Sequence, residues 1–474
     1  MVKYRYGRVT ERTIRELQDT VGAENVSLRD EELICYSRDS SLYEYKPDVV
    51  VRPSSSEQVA TILRLAGRET IPVTPRGAGT SSTGSPLPVK GGILLDMTAM
   101  DEILRIDVEN MTVEVEPGMV CDSLNEVLFE YGYFFPPDPA SSPACTIGGM
   151  VANNAAGNRA IKYGTTREHV LWLELALPSG KIIHTGSRTL KSVSGFDLTR
   201  LVVGSEGSLG VVTKICLKLT PIPESFATAV FTFDNVEPIA RAVSKIRAAK
   251  ILPDMLEFMS AKTAGAALEY MKTREIPPGN FLLIDCDGSK ESTTRDMNSC
   301  LPILKEFRPS YIQRTEDPSL REMLISARKA ALPALSRLRP TTCMEDCTFP
   351  LSRLAEATTV IEDIPSKFAS SNLDLANFGH LGDGNMHPTF MFDDRVEGER
   401  RAFQQGLDTL YRQIVLPLGG TITGEHGIGI VRAQYIEEEH GEEAVRLMRR
   451  IKELFDPKQI LNPYKGKGGP WPIR

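Results

Sequence analysis

The eight cysteines of this 474-residue chain form no Cys-x-x-Cys pair. Without such spacing the usual iron–sulfur pattern is missing, and any cluster belongs to a partner. The one close pair, Cys343 and Cys347, reads as two buried free thiols. No apolar run is long enough to span a membrane. The N-terminal residues Lys3, Arg5 and Arg8 do not lead into a signal-peptide stretch. A soluble, reduced, cytoplasmic protein is expected, with peripheral membrane attachment left open. The formal net charge of −7 leaves no basic face for a nucleic acid. No Gly-Lys-Ser/Thr closes a Walker loop, and no GxGxxG has dinucleotide-fingerprint spacing. Internal repeats and low-complexity segments are also missing.

What remains is ordinary globular composition, 41% hydrophobic and 25% charged. The length is large for one core, so two or three domains are expected. Residues 11–21 read as an amphipathic helix with Ile14, Leu17 and Val21 on one face and Gly22 as its stop. Ser55 and Gln58 fit a capping box before a helix through Val59, Ile62, Leu63 and Ala66, closed by Gly67. Strands are expected at 71–74, 93–96 and 112–116. From about 141 to 213 the chain is rich in Gly, Ser, Ala and Asn, as suits close backbone approach to a ligand. Past Pro221 the texture changes to strand 226–233, helix 238–249 and strand 281–285, with helices around them, an α+β pattern. Its last helix ends near Leu418, Gly419-Gly420 marks a boundary, and the tail reads as helical from about 431 to 454. The expected division is 1–220, 221–420 and 421–474.

Three of the six histidines fall in two short stretches, His380-Leu381-Gly382-Asp383-Gly384-Asn385-Met386-His387 and Glu425-His426-Gly427. Gly-Asp-Gly-Asn favours a turn over a helix. Folded back across it, His380 and His387 face each other on antiparallel strands, with Cβ atoms roughly 5 Å apart. Two such imidazoles suit one ion, and Glu425 beside His426 offers a carboxylate. The bland alternative is a glycine-rich hairpin with unrelated histidines. The clustering favours a metal or catalytic site.

Pro75-Arg76-Gly77-Ala78-Gly79-Thr80-Ser81-Ser82-Thr83-Gly84 offers many backbone N–H groups and little bulk, which suits a phosphate. Alone it reads equally well as a flexible surface loop. Three later segments, Thr146–Gly149, Asn153–Gly157 and Val203–Thr213, are similarly small, polar and flanked by strands. Together these loops can wrap an extended dinucleotide.

Taken in order, the Pro75–Gly84 loop, Gly148-Gly149, Val203–Thr213, His380–His387 and Gly424-Glu425-His426-Gly427 resemble the FAD-linked oxidases of the vanillyl-alcohol-oxidase type. Within them the chain is similar to the D-lactate, glycolate and D-2-hydroxyglutarate dehydrogenase branch. The resemblance covers nearly the whole chain, and the HLGDGNMH plus GEHG combination is its specific part. It implies an α+β protein with a two-part FAD-binding domain, an inserted α+β substrate (cap) domain and a helical C-terminal segment. It implies that Pro75, Arg76, Gly77, Ala78, Gly79, Thr80, Ser81 and Gly84 hold the FAD pyrophosphate. Asp138, Ser142, Thr146, Gly148, Gly149, Asn153, Gly157, Glu206, Gly210 and Val212 would line the flavin and adenosine. No His or Cys lies in the first loop, so non-covalent FAD is expected. His380, His387 and Glu425 would be metal ligands, for Zn²⁺ or else Mn²⁺, Fe²⁺ or Co²⁺. His426 would be the general base, and Arg328 would bind the substrate carboxylate. Read without the resemblance, Arg328 is a solvated helix charge.

Two departures bear on substrate. Dicarboxylate-oxidising members of the branch carry a lysine where this chain has Met344, and often Asn where it has Thr389. Both favour a small or apolar D-2-hydroxy acid such as D-lactate. Oxidation would send the hydroxyl proton to His426 and a hydride to flavin N5, with the ion as Lewis acid. Adjacent strand residues point to opposite faces, so Glu425 as ligand and His426 as base need an irregular backbone, which Gly424 and Gly427 permit. Electrons would pass to a separate acceptor such as an electron-transferring flavoprotein, an iron–sulfur subunit, a quinone or a cytochrome; a homodimer is compatible with the sequence. The alternatives are a D-2-hydroxyglutarate or glycolate dehydrogenase, a flavin-dependent transferase like the alkylglycerone-phosphate synthases, and a non-catalytic electron-transfer flavoprotein subunit.

Overall fold

In the computed structural model, which describes residues 5–273 and 276–463, the chain divides into two compact units. One comprises residues 1–156, 165–222 and 425–474; the other comprises 157–164 and 223–424.

The first unit holds two sheets. In the four-stranded sheet, Val26–Ser27 lies beside Val49–Val51, then Ile93–Asp96, then Val73–Arg76. The last three strands run parallel. Parallel strands need a crossover, and the helix Ser56–Glu69 supplies it. Val59, Ile62, Leu63 and Ala66 of that helix are fully buried, as is Leu17 of the helix Glu11–Val21. The second sheet is antiparallel, in the order Ile103–Asp107, Thr112–Val115, Val211–Lys218, Val170–Ala176, Ile182–Gly186.

The tail is stitched into this unit. Val73 donates its N–H to Ile460 O at 2.8 Å, and Asn462 returns a 2.8 Å bond to Val73 O. Ile460 and Leu461 are buried in the core of the four-stranded sheet. The buried Lys452 ammonium bonds Ser208 O at 2.7 Å, Leu461 O at 2.9 Å and Asp456 Oδ2 at 2.5 Å. A buried ammonium survives only with such partners.

The second unit is built on a fully antiparallel sheet. Its strands lie in the order Tyr311–Thr315, Ser225–Phe233, Asn280–Gly288, Met255–Met259, Phe378–His380. The helices Glu237–Ala248, Ala261–Met271 and Lys290–Glu306 connect the first four in sequence. A three-stranded sheet pairs Thr341–Met344 and Asp374–Ala376 with Thr389–Phe392. The excursion 157–164 carries the short helix Ala160–Tyr163, whose Tyr163 OH donates to Asp287 Oδ2 at 2.7 Å. Lys162 Nζ pairs with the same carboxylate.

Three local expectations differ from what is found. Gly67 does not stop its helix, which runs to Glu69 and ends at a left-handed Thr70. A Cβ at Gly67 would come within 2.9 Å of Pro178 O, so close packing explains this glycine. The Ser55 hydroxyl does accept from Gln58 N, at 3.3 Å, but the Gln58 amide turns to Ser54 N at 2.8 Å, so no capping box closes. The tail helix is two, Ile436–His440 and Glu442–Phe455, because Gly441 sits at φ 80° between them. No helix among the described residues is long and apolar enough to cross a membrane.

One buried acid in the second unit leads to a stability prediction. Asp254 is 0% exposed, and neither carboxylate oxygen has a hydrogen-bond partner among the described residues. Burial, then the nearby charges of Asp285 and Asp287, push its carboxyl well above the usual range. A carboxyl with a raised folded pKa holds its proton more tightly when folded. Its favourable share of stability is therefore present at low pH and lost as pH rises through the folded value. Asp254→Asn should melt above the parent by a margin that widens as pH rises above the ordinary carboxylate range. A constant margin in thermal melts as pH rises would contradict this.

Candidate functional site

The glycine-rich loop begins where the strand Val73–Arg76 ends, so Pro75 and Arg76 lie on the strand and Gly77–Gly84 on the turn after it. It is fastened rather than loose. Gly84 N bonds Asp39 Oδ2 at 2.8 Å, Ser40 N bonds Ser81 O at 2.8 Å, and Ile430 N bonds Thr83 O at 2.8 Å. Thr146 caps the short helix Ile147–Asn153, which contains Gly148, Gly149 and Asn153. A Cβ at Gly77 would lie 2.2 Å from Thr146 Oγ1, so the two loops meet with no room for a side chain. Asp138 and Ser142 lie in the connection before Thr146, and Gly210 and Val212 at the start of the strand Val211–Lys218. Gly157 opens the excursion that belongs to the second unit.

The donor chemistry around this turn suits a phosphate-bearing cofactor. Arg76 is buried, with Nη2 bonded to Arg38 O at 2.8 Å and its guanidinium 5.6 Å over the Tyr36 ring. Arg76 Nη1, Ser82 Oγ and Ser142 Oγ are buried without a hydrogen-bond partner among the described residues. Unsatisfied buried donors are costly and point to a missing acceptor. Burial pulls the Arg76 guanidinium below its usual range, and the Asp39 charge opposes that. FAD pyrophosphate oxygens are acceptors of the right kind. Glu206 is committed elsewhere: its buried carboxylate accepts from Ile428 N at 2.7 Å and Gly429 N at 3.0 Å. It therefore holds the segment just after Glu425-His426-Gly427, from a left-handed backbone with φ 53°.

In the second unit His380 and His387 come together, with ring centroids 5.1 Å apart and planes nearly perpendicular. The expected two-armed hairpin is not the reason. His380 ends the strand Phe378–His380, whose ladder partner is Met255–Met259. After the turn, Asn385–Met386 pairs with Cys347–Thr348 in a separate two-stranded sheet. His387 N bonds Phe378 O at 2.7 Å between the two arms.

Glu257, Asp346 and Tyr411, to which the sequence assigns no role, organise this region together with Arg328. Glu257 stands opposite His380 in the strand register, and its carboxylate lies 2.8 and 2.9 Å from His380 Nδ1. Arg328, on the helix Pro318–Lys329, is only 4% exposed and lies 2.8 Å from the same carboxylate through Nε. Its guanidinium also sits 4.9 Å over the Phe378 ring. Read as a solvated helix charge, Arg328 would be exposed; it is not. Asp346 Oδ1 lies 3.7 Å from His387 Nδ1 and accepts from Asn385 Nδ2 at 2.6 Å. Its Oδ2 accepts from Thr423 Oγ1 at 2.6 Å and from Gly424 N at 2.8 Å. Tyr411 OH bonds Glu345 Oε2 at 2.6 Å and Asp346 O at 3.2 Å. The backbone is thus fixed one peptide bond before Glu425.

Glu425 and His426 belong to the first unit, with Glu425 Oε1 3.7 Å from His426 Nε2. Arg432, fully buried, donates from Nη1 to Gly427 O at 3.1 Å and holds the turn that follows.

Gly77→Ala should cost about 1–3 kcal/mol through overpacking against Thr146. It should also lower the visible flavin absorbance per polypeptide. A variant with parental melting temperature and full flavin content would show that the loops do not meet as closely as described.

Comparison with known proteins bears on the family and the fold. Residues 222–466 match the model described as FAD linked oxidases, C-terminal domain, and residues 47–186 match the FAD binding domain. The glycolate oxidase subunit GlcD of Bacillus subtilis (strain 168) is 39% identical over 96% of this chain and 97% of its own. The mitochondrial D-lactate dehydrogenase [cytochrome] of Arabidopsis thaliana is 35% identical over 98% of this chain and 82% of its own. Among solved structures, p-cresol methylhydroxylase superposes with a TM-score of 0.80 at 18% identity, covering 95% of both chains, a likeness of fold. With a matched C-terminal model spanning more than half its length and full-length relatives, the chain belongs to the FAD-linked oxidases.

Proposed function

We propose that this protein is an FAD-dependent dehydrogenase of a small D-2-hydroxy acid, with D-lactate the preferred substrate and a divalent ion, zinc first, assisting. Relatives named for D-lactate and glycolate support the substrate class. The observation that carries the reading is Arg328. Its Nη2 is buried with no hydrogen-bond partner among the described residues, and the guanidinium shares Glu257 with His380. A 2-hydroxy acid presents a carboxylate and a hydroxyl on adjacent carbons. It needs a fixed cation beside a group that can hold a Lewis acid, and Arg328 and His380 are such neighbours.

Bound FAD supplies a hydride acceptor, and the bound ion supplies Lewis acidity toward the hydroxyl. The chain's own groups do the rest. His380 and His387 would offer the ion two imidazoles and Glu425 a carboxylate, a donor set that suits zinc, with manganese, iron or cobalt as alternatives. Arg328 orients the carboxylate through charge-assisted bonds. His426 takes the hydroxyl proton as the carbon gives up its hydride. The substrate loses two electrons and two protons and leaves as the 2-oxo acid. Electrons then pass to a separate acceptor, a flavoprotein, iron–sulfur subunit, quinone or cytochrome.

Met344 and Thr389 favour a monocarboxylate. They are direct cross-strand partners between Thr341–Met344 and Thr389–Phe392. Neutral groups stand at both positions, so no cation there meets a second carboxylate.

An anaerobic visible spectrum tests the reading. D-lactate should bleach the flavin band, and L-lactate should not. A flavin that no 2-hydroxy acid bleaches would instead favour a transferase or an electron-transfer subunit. His426→Ala should keep FAD and metal but lose turnover; normal turnover would remove His426 as the base. Met344→Lys should raise kcat/KM for D-2-hydroxyglutarate by about tenfold, the worth of one charge-assisted bond. An unchanged ratio to D-lactate would place the specificity elsewhere.

A further inference from the structure

The strand Met255–Met259 carries one acid among four apolar residues. Glu257 is 2% exposed, and its carboxylate lies 2.8 and 2.9 Å from His380 Nδ1 and forms an ion pair with Arg328, Nε to Oε2 at 2.8 Å. The register partner of Glu257 is His380, so the two side chains share one face of the sheet at cross-strand distance.

We propose that Glu257 is the positioning residue of the ion site, fixing His380 for ligation and using Arg328 as its counter-ion. This rests on the reading that His380 holds the ion. An imidazole that donates Nδ1–H to a carboxylate carries its lone pair on Nε2, in one tautomer and one orientation. The same bond raises the basicity of Nε2 and so its affinity for a cation. A lone carboxylate at this depth would be unstable, and Arg328 supplies the compensating charge. The arrangement gives one buried anion two duties, orienting a ligand and neutralising the arginine that faces the substrate carboxylate.

The test is zinc affinity of the FAD-loaded full-length protein, measured by competition with a chromogenic chelator. Flavin content and melting temperature are recorded beside it. Glu257→Gln keeps the shape and removes the charge. It should bind zinc about 10–100-fold more weakly, the usual effect of losing such an outer partner. Arg328→Met strands the Glu257 charge and should lower the melting temperature, but it keeps the Glu257–His380 bond and should bind zinc within about threefold of wild type. The double variant Glu257→Leu with Arg328→Met removes both charges together. It should fold even where Glu257→Gln does not, since neither buried charge is left alone. Its zinc affinity should fall at least as far as that of Glu257→Gln. Wild-type zinc affinity in either Glu257 variant overturns the inference while leaving the ion site standing. A loss in Arg328→Met as large as in Glu257→Gln also overturns it, since general disturbance of packing would then explain both. Wild-type protein that takes up no zinc overturns the ion site itself, and this inference with it.

Discussion

A charge taken out of water must be matched inside the protein, and the motif-bearing segments of this chain are arranged around three carboxylates that obey that constraint. Glu257 is matched by Arg328 and His380. Asp346 is matched by Asn385, Thr423 and the Gly424 amide. Glu206 is matched by the amides of Ile428 and Gly429. In each case the acid is buried and its partners are fixed donors. A matched buried acid adds little net stability, because desolvation offsets most of the attraction. What it adds is geometry: any displacement leaves an unsatisfied charge, so the segments it holds have one good position.

Much of the architecture was legible from periodicity. The helix 11–21 and the strands near 93–96, 112–115 and 225–233 follow the hydrophobic pattern because each buries one clear face or is buried throughout. Gly67 misled because its helix signal and its packing role conflict, and packing against Pro178 decided the matter. The His380–His387 proximity was anticipated for the wrong geometric reason. A two-residue ladder to Cys347–Thr348 draws the second arm away, and nothing local in the octet encodes that distant partner.

The site was less legible than the fold. Glu257 carried a signal in plain view, an acid between Leu256 and Phe258 in a wholly apolar strand. Such a residue is either misplaced or paired. Its partner, His380, lies more than a hundred positions away, and only the strand register joins them. Asp346 and Tyr411 act through backbone and hydroxyl contacts, which leave no trace in spacing. Arg328 was marked only by the resemblance; by spacing alone it is an ordinary charge on a helix. Depth, not sequence, distinguishes it from Arg321, which pairs with Asp285 seven residues earlier on the same helix.

The stitched tail has a consequence for biosynthesis. Chains emerge from the ribosome in order, and domains generally fold as units during synthesis. Residues 223–424 form one unbroken stretch apart from the brief 157–164 excursion, so nearly all the partners of that unit are in hand at once. The N-terminal unit has no such luxury. Val73 waits for Ile460 and Asn462, and Ser208 waits for Lys452, before their backbone groups are paired. Throughout translation of the intervening segment the nascent first unit presents an incomplete sheet edge, the kind of surface that holdase chaperones shield and that misassembles when they are scarce.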